Sequence, residues 1–286
     1  MTDAERTAAS QARRRSVFCG RLSHQLAGPL NVILNGAEYI QTSLEKGSPA
    51  QQQSAILVSA QAIQDSARWL DRLAQNLLDV LAICSDSFAP SLAPVELSGQ
   101  LGRLLELCVP YVERQQMTLE WSSLPQQAMV WADEALTDRV LLNLLSNSIR
   151  FGHPGGRIFV ELQAGEERCT IALTDDGPGI SDEAKKAVQD PFRELEAQDF
   201  QQGSGIGLYL AAEFCRAMSW ELHLDGSGAG TRAEVVIPRS AFVSGEKLPE
   251  QVRMASGTLY REMRRQEQLS RVCREMDPLF GQPDQT

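Results

Sequence analysis

Asn143-Leu144-Leu145-Ser146-Asn147-Ser148-Ile149-Arg150 decides how the rest of the chain is read. It closes an amphipathic stretch from Asp133 to Arg150 in which Leu141, Leu142, Leu144, Leu145 and Ile149 are apolar, a pattern that predicts a helix. Asn143 and Asn147 are four residues apart, so their amides share one helix face, and Arg150 lies beside it. Two neutral carbonyl oxygens suit Mg²⁺, a hard ion that keeps waters and substrate phosphates as its other ligands. The arginine is suited to a phosphate. Alone, the same residues describe a polar surface stripe.

Around this helix the periods mix. Leu101 to Val112 reads as amphipathic helix and Met117 to Trp121 as strand. Arg157–Leu162 and Cys169–Leu173 alternate like adjacent antiparallel strands. Gly205–Met218 reads as helix, and Glu221–Leu224 with Arg232–Ile237 as a last pair of strands. Helices with mostly antiparallel strands predict an α+β two-layer sandwich.

Two turns in this region carry chemistry. Asp175-Asp176-Gly177-Pro178-Gly179-Ile180 follows a strand directly. A carboxylate there can accept from an adenine amino group, and the glycines permit a tight turn and close approach of a ring; a plain hairpin turn has the same look. Gly203-Ser204-Gly205-Ile206-Gly207-Leu208 opens a helix, whose N-terminus with those glycines makes an anion site. Dinucleotide folds use similar glycines, but no parallel strand immediately precedes these. Between the two turns, Pro191-Phe192-Arg193-Glu194 sits in a polar stretch of about 22 residues, long enough for a functional lid.

The N-terminal third is different. From Arg13 to Leu44, residues Phe18, Leu22, Leu26, Pro29, Ile33, Ala37, Ile40 and Leu44 form one stripe, and Lys46-Gly47-Ser48-Pro49 stops the helix. Ile56, Ala60, Ile63, Ala67, Leu70, Ala74, Leu77 and Leu81 then repeat in heptads like a coiled-coil seam. Two long helices and a short turn predict an antiparallel hairpin. One hairpin leaves its core half covered, so a second copy is expected to complete a four-helix bundle as a homodimer. His24 lies about 200° around the helix from Leu26, off the apolar stripe and facing solvent. A neutral imidazole there is a competent nucleophile, though an ordinary exposed histidine reads the same. Pro29 should bend the helix just beyond it.

The composition bounds the partners. The 27 Lys and Arg against 37 Asp and Glu give a net charge of −10 over 286 residues, unfavourable for nucleic acid or anionic lipid. No apolar run approaches the ~20 residues that span a bilayer, and the N-terminus lacks the apolar core of a signal peptide. Six scattered cysteines, with no CxxC pair, fit a reducing cytoplasm better than a disulfide framework or a zinc site. At roughly 150 residues per domain, two domains are expected.

In their order and spacing, these motifs resemble those of the sensor histidine kinases of two-component signalling. Residues 12–86 match the dimerisation and phosphotransfer hairpin, and residues 95–240 the Bergerat-fold ATP-binding domain. Residues 1–11 are then a disordered N-terminus, 87–94 a linker, and 241–286 a C-terminal extension that is helical, docked or free. His24 matches the phosphoacceptor, and Phe18 and Pro29 fall at the family's usual offsets. Asn143, Asn147 and Arg150 match the N box, where lysine is usual at the last position. Asp175, Gly177 and Gly179 match the G1 box, Phe192 the F box, and Gly203, Gly205 and Gly207, with Leu208 after them, the G2 box.

The resemblance implies binding of ATP with Mg²⁺, the metal held by Asn143 and Asn147 and the adenine by Asp175. It further implies γ-phosphoryl transfer to His24 and then to an aspartate of a response-regulator receiver domain. Two positions depart from the family. Gln25 replaces the acidic general base that usually follows the histidine, and a positioned base is worth ~10²–10⁴-fold. Weak autokinase activity is therefore expected, and the alternative is an ATP-binding pseudokinase that regulates other kinases by association. Gly28 stands where Thr or Asn often positions water, which predicts little phosphatase activity. With about eleven residues before the first helix, the input is expected through an upstream sensor protein, another kinase or the tail.

Overall fold

The computed structural model describes residues 26–45, 48–84, 88–122, 128–182, 185, 188, 206–226, 230–239 and 258–276. His24, Gln25, Phe192, Gly203 and Gly205 lie outside them.

The described part of the N-terminal region is a pair of helices. Helix α1 (residues 26–45) runs through Pro29, and α2 spans Pro49–Cys84. A Cβ added to Gly36 would lie 3.2 Å from Ile63, so the helices close on each other at a glycine. The Gln52 amide donates to the Leu44 carbonyl (3.1 Å), which fixes the antiparallel turn. The seam on α2 differs from the expected heptad row. Ala67, Ala74 and Leu81 are exposed, whereas Ala55, Ser59, Ser66, Leu73, Asn76 and Val80 are buried. The reason is that α2 meets α1 along its first half and the sheet domain along its second, each drawing in its own row.

The second unit opens with β1 (Ala93–Glu96), which pairs antiparallel with β3 (Met129–Ala132) in a two-stranded sheet. Neither strand is among those the sequence predicts; each is fixed by its pairing with the other across the chain between Glu96 and Met129. Ala93 and Pro94, at the end of the expected linker, are already paired with Ala132 and Trp131. Between these strands lie α3 (Leu97–Arg114) and β2 (Thr118–Trp121). Glu96 caps α3 by accepting from the Ser98 and Gly99 N–H groups. Asp133 caps α4 (Glu134–Phe151) by accepting from the Ala135 and Leu136 N–H groups.

The main sheet has the order β2-β4-β5-β7-β6, with β4 (Arg157–Ala164), β5 (Arg168–Asp175), β6 (Glu221–Asp225) and β7 (Thr231–Pro238). Among the described strands of this sheet, only the β2–β4 pair is parallel. Along β4, Ile158, Val160 and Leu162 are buried while Arg157, Phe159 and Gln163 are exposed, so one face is wet and the other lies under helices. Helices α3, α4 and α5 (Ile206–Ala217) supply that cover through Leu104, Leu142, Leu145, Leu210 and Phe214. A sixth helix, α6 (Thr258–Met276), docks against α3, α4 and α2, with Val272 and Met276 fully buried. No helix among the described residues is long and apolar enough to cross a membrane.

Candidate functional site

Asp175, the last residue of β5, is buried and held from three sides. Its Oδ2 accepts from the Ser148 hydroxyl of α4 at 2.6 Å. Its Oδ1 accepts from the Gly177 N–H at 3.0 Å and the Thr231 N–H at 3.1 Å. A carboxylate has about four acceptor sites, so one remains for another donor. The backbone crowds around it. Gly230 has φ +113°, and a Cβ there would stand 2.0 Å from the Asp175 carbonyl oxygen. Gly179 turns the chain after the strand at φ +83°.

Asn143, on α4, is 1% exposed, and neither its amide nitrogen nor its amide oxygen has a hydrogen-bond partner among the described residues. Directly facing it is Gly207 in the first turn of α5, where a Cβ would come within 2.7 Å of Asn143 Oδ1. The folded chain thus brings the asparagine helix and the glycine-opened helix into contact. Asn147, one turn on, is half-buried, as are Gly207 and Leu208. Asp175 is reached through Ser148 on the same helix.

Arg150 completes the row from a polar junction. Burial pushes its guanidinium down to about 9, nearby Arg72 of α2 pushes the same way, and Glu275 of α6 opposes. Arg72 also donates to Ser146 Oγ at 3.2 Å. Ser146 in turn donates to the Asn143 carbonyl at 3.1 Å, so the hairpin touches the helix that carries the asparagines. A second bridge joins Arg139 of α4 to Asp79 of α2 in an ion pair, with the Arg139 guanidinium 4.7 Å above the Phe214 ring. Phe88 stacks on the same ring at 5.5 Å.

Of the expected residues, the structure gathers Asn143, Asn147, Asp175, Gly177, Gly207 and Leu208 about the junction of α4, α5 and the end of β5. Ser148, Thr231, Gly230 and Arg72 were not anticipated. Ser148 adjoins Asn147, but its role depends on a strand distant in sequence. Gly28 has nothing within 4 Å of the place its Cβ would take. Among the described residues no cluster of His, Cys, Asp and Glu is built to hold a metal, so a cation here would rest on amide oxygens and on the ligand it accompanies.

Residues 132–241 match the family described as histidine kinase-, DNA gyrase B-, and HSP90-like ATPases. Over a longer reach the chain resembles the sensor histidine kinases of two-component systems. The sensor histidine kinase TmoS of Ectopseudomonas mendocina is 29% identical over 232 residues, 79% of this chain and 23% of that protein. The cell-division control histidine kinase PdhS of Brucella canis is 27% identical over 253 residues, 83% of this chain and 24% of that one. The chain therefore spans about a quarter of the length of the curated relatives it matches.

Solved structures share the fold. Full-length ShkA in complex with AMPPNP aligns at a TM-score of 0.53 and 25% identity, covering 76% of this chain and 44% of that one. The Acinetobacter baumannii histidine kinase AdeS aligns at 0.54 and 16% identity, covering 76% and 98%. The histidine kinase ThkA, in complex with the response regulator TrrA, aligns at 0.56 and 16% identity, covering 84% and 67%.

Proposed function

We propose that this chain is the dimerisation, phosphotransfer and ATP-binding part of a cytoplasmic two-component histidine kinase. It takes the γ-phosphoryl group of ATP onto His24 and passes it to an aspartate on the receiver domain of a response regulator. The observation that carries this reading is the buried amide of Asn143 against Gly207, without a hydrogen-bond partner among the described residues. Leaving such an amide unbonded costs about 1–3 kcal/mol, and the fold bears that cost where the expected nucleotide motifs converge. A ligand that brings a cation and phosphate oxygens would satisfy it.

In this reading Asn143 and Asn147 hold Mg²⁺ by their amide oxygens. Held there, the ion would supply neutralisation of the phosphate charge. Asp175 uses its remaining acceptor site for the adenine amino group. Gly203, Gly205 and Gly207, with the N-terminus of α5, take the phosphates, and Arg150 assists from α4. Phe192 and Leu208 flank the nucleotide. A nitrogen lone pair of neutral His24 attacks the γ-phosphorus, the bond to the β-phosphate oxygen breaks, and ADP departs. Gln25 has no basic group, so the imidazole proton goes to solvent and the step is slow for lack of a base. A receiver carboxylate then attacks the phosphorus and the P–N bond breaks, returning the imidazole.

Exposed Leu34, Leu57 and Val58, at 66%, 65% and 67%, support a second copy on the hairpin as the homodimer partner. The ThkA–TrrA complex supports a receiver-domain partner. Incubation with γ-labelled ATP, followed by mapping of phosphohistidine, tests the reading. Label on the wild-type chain and none on His24→Ala is expected; label that persists on His24→Ala overturns the phosphoacceptor.

A further inference from the structure

Helix α6 is anchored firmly at one side. It lies in the groove between α3 and α4, where the buried Gln268 donates to the Gln100 carbonyl (3.2 Å) and to Asp138 Oδ1 (3.0 Å), and accepts from Arg103 Nε (3.2 Å). Arg271 grips the other oxygen of Asp138 through Nε at 2.8 Å and Nη2 at 2.7 Å. Val272 and Met276 seal the contact, both fully buried.

From that anchored base, the last turn reaches the hairpin. Glu275 meets Arg72 Nε at 2.7 Å, with the side chains 4% and 11% exposed, and Arg274 Nε meets Asp71 at 3.2 Å. Two adjacent residues on each helix thus pair with opposite polarity, +− against −+. That pattern fixes both register and direction, because a slip sets like charges together. Arg72 is shared: while Nε holds Glu275, Nη2 donates to Ser146, between the two asparagines of α4. The tail carboxylate therefore engages the arginine that joins the hairpin to the nucleotide helix, and its charge reaches Arg150.

We propose that α6 is an autoinhibitory strap that fastens the hairpin helix α2 to the ATP-binding domain through the Glu275–Arg72 and Arg274–Asp71 pairs. The functional consequence rests on the kinase reading above. His24 must be reached first by the nucleotide and then by a receiver domain, so the ATP-binding domain has to move relative to the hairpin between the two steps. With the strap closed, α2 and α4 are held in one arrangement. Release of the last turn of α6 leaves the Asp138 anchor intact and removes two of the ties to α2, so that the arrangement loosens about the remaining Arg139–Asp79 pair and Arg72–Ser146 bond.

The test uses the full chain with spin labels at the exposed positions Gln61 on α2 and Glu221 on β6, diluted with unlabelled chain, and reads the distance distribution. A single narrow distance is expected for the wild type and a broad distribution for Glu275→Gln and Glu275→Arg. The narrow distance should return in the swap Glu275→Arg with Arg72→Glu. In parallel, the initial rate of labelling from γ-labelled ATP should rise about fivefold or more in Glu275→Gln, the lower range of measured couplings between sites. An unchanged distance distribution in the Glu275 variants overturns the strap. Broadening with an unchanged or slower labelling rate overturns its inhibitory role. If neither wild type nor variant is labelled, the kinase reading fails, and the distance measurement alone still decides whether the strap exists.

Discussion

The Ser148 hydroxyl and the Asp175 carboxylate, 2.6 Å apart, join the last turns of α4 to the end of β5. This bond is the only side-chain contact among the three that hold the carboxylate, the others coming from backbone N–H groups. Replacing Ser148 with Ala should therefore lower stability by about 1.5–3 kcal/mol, the range for a bond to a charged group, and leave the carboxylate in place. Asp175→Asn keeps the shape but replaces one acceptor oxygen with a donor. Nucleotide affinity should fall by 10-fold or more, as expected for loss of a bond to a charged group worth ~1.5–3 kcal/mol. Titration of a fluorescent ATP analogue, with thermal melting alongside, separates the two effects; equal affinity in Asp175→Asn would remove the adenine role.

Asn143 and Gly207 should show opposed effects on stability and binding. Asn143→Leu removes a buried amide that has no partner among the described residues, so the fold should gain about 1 kcal/mol or more while nucleotide binding is lost. Gly207→Ala drives a methyl to within 2.7 Å of the Asn143 oxygen and should weaken Mg²⁺-nucleotide binding with the hairpin undisturbed. Denaturant melts and nucleotide titrations check both, and a destabilised Asn143→Leu would show that the amide is satisfied in solution.

Asp138 is fully buried, and burial pushes its carboxyl up against the pull of Arg271, Gln268 and Gln100. Arg271→Ala leaves that charge without its guanidinium and should destabilise the protein by roughly 3 kcal/mol, the usual result of halving a buried pair. Removing both charges, as Asp138→Leu with Arg271→Met, should recover most of the loss. Urea melts of the three variants decide it.

The helical character of the N-terminal region, the three covering helices and the five strands of the main sheet were legible from their apolar periods, but the row that α2 buries was not. What escaped was short or distant. Strands β1 and β3 span four residues each and are specified by pairing with one another. The tail helix showed its apolar Val272 and Met276, but the polar contacts of Gln268 and Arg271 that dock it depend on Asp138, which in sequence is one more charge on a helix. In the site, glycines and asparagines stood out because few other roles need them in that order. Ser148, Thr231 and Gly230 did not, since a hydroxyl, an N–H and a turn glycine gain meaning only where β5, β7 and α4 meet.

Burial pushes the Cys108 and Cys215 thiols up to about 12, while Cys273 is partly exposed beside the Tyr111 hydroxyl. At pH 8.5 iodoacetamide should modify Cys273 well before either buried thiol in the native protein. The folded pKa values lie above the unfolded value of 9.0, so the unfolded chain releases these protons first. Stability from this source is therefore full below pH 9 and declines as pH rises toward about 12. Peptide mapping after alkylation and melts between pH 8 and 11 measure the two effects.

The family match ends at residue 241, yet the partner of Asp138 sits at Arg271. A chain cut at residue 241, with α3 and everything before it kept, would expose the groove between α3 and α4 and leave a buried carboxylate without its cation. Such a fragment should come out of an expression host insoluble, and moving the cut beyond Met276 should restore a soluble product. For this protein the folding unit is longer than the unit by which it is recognised.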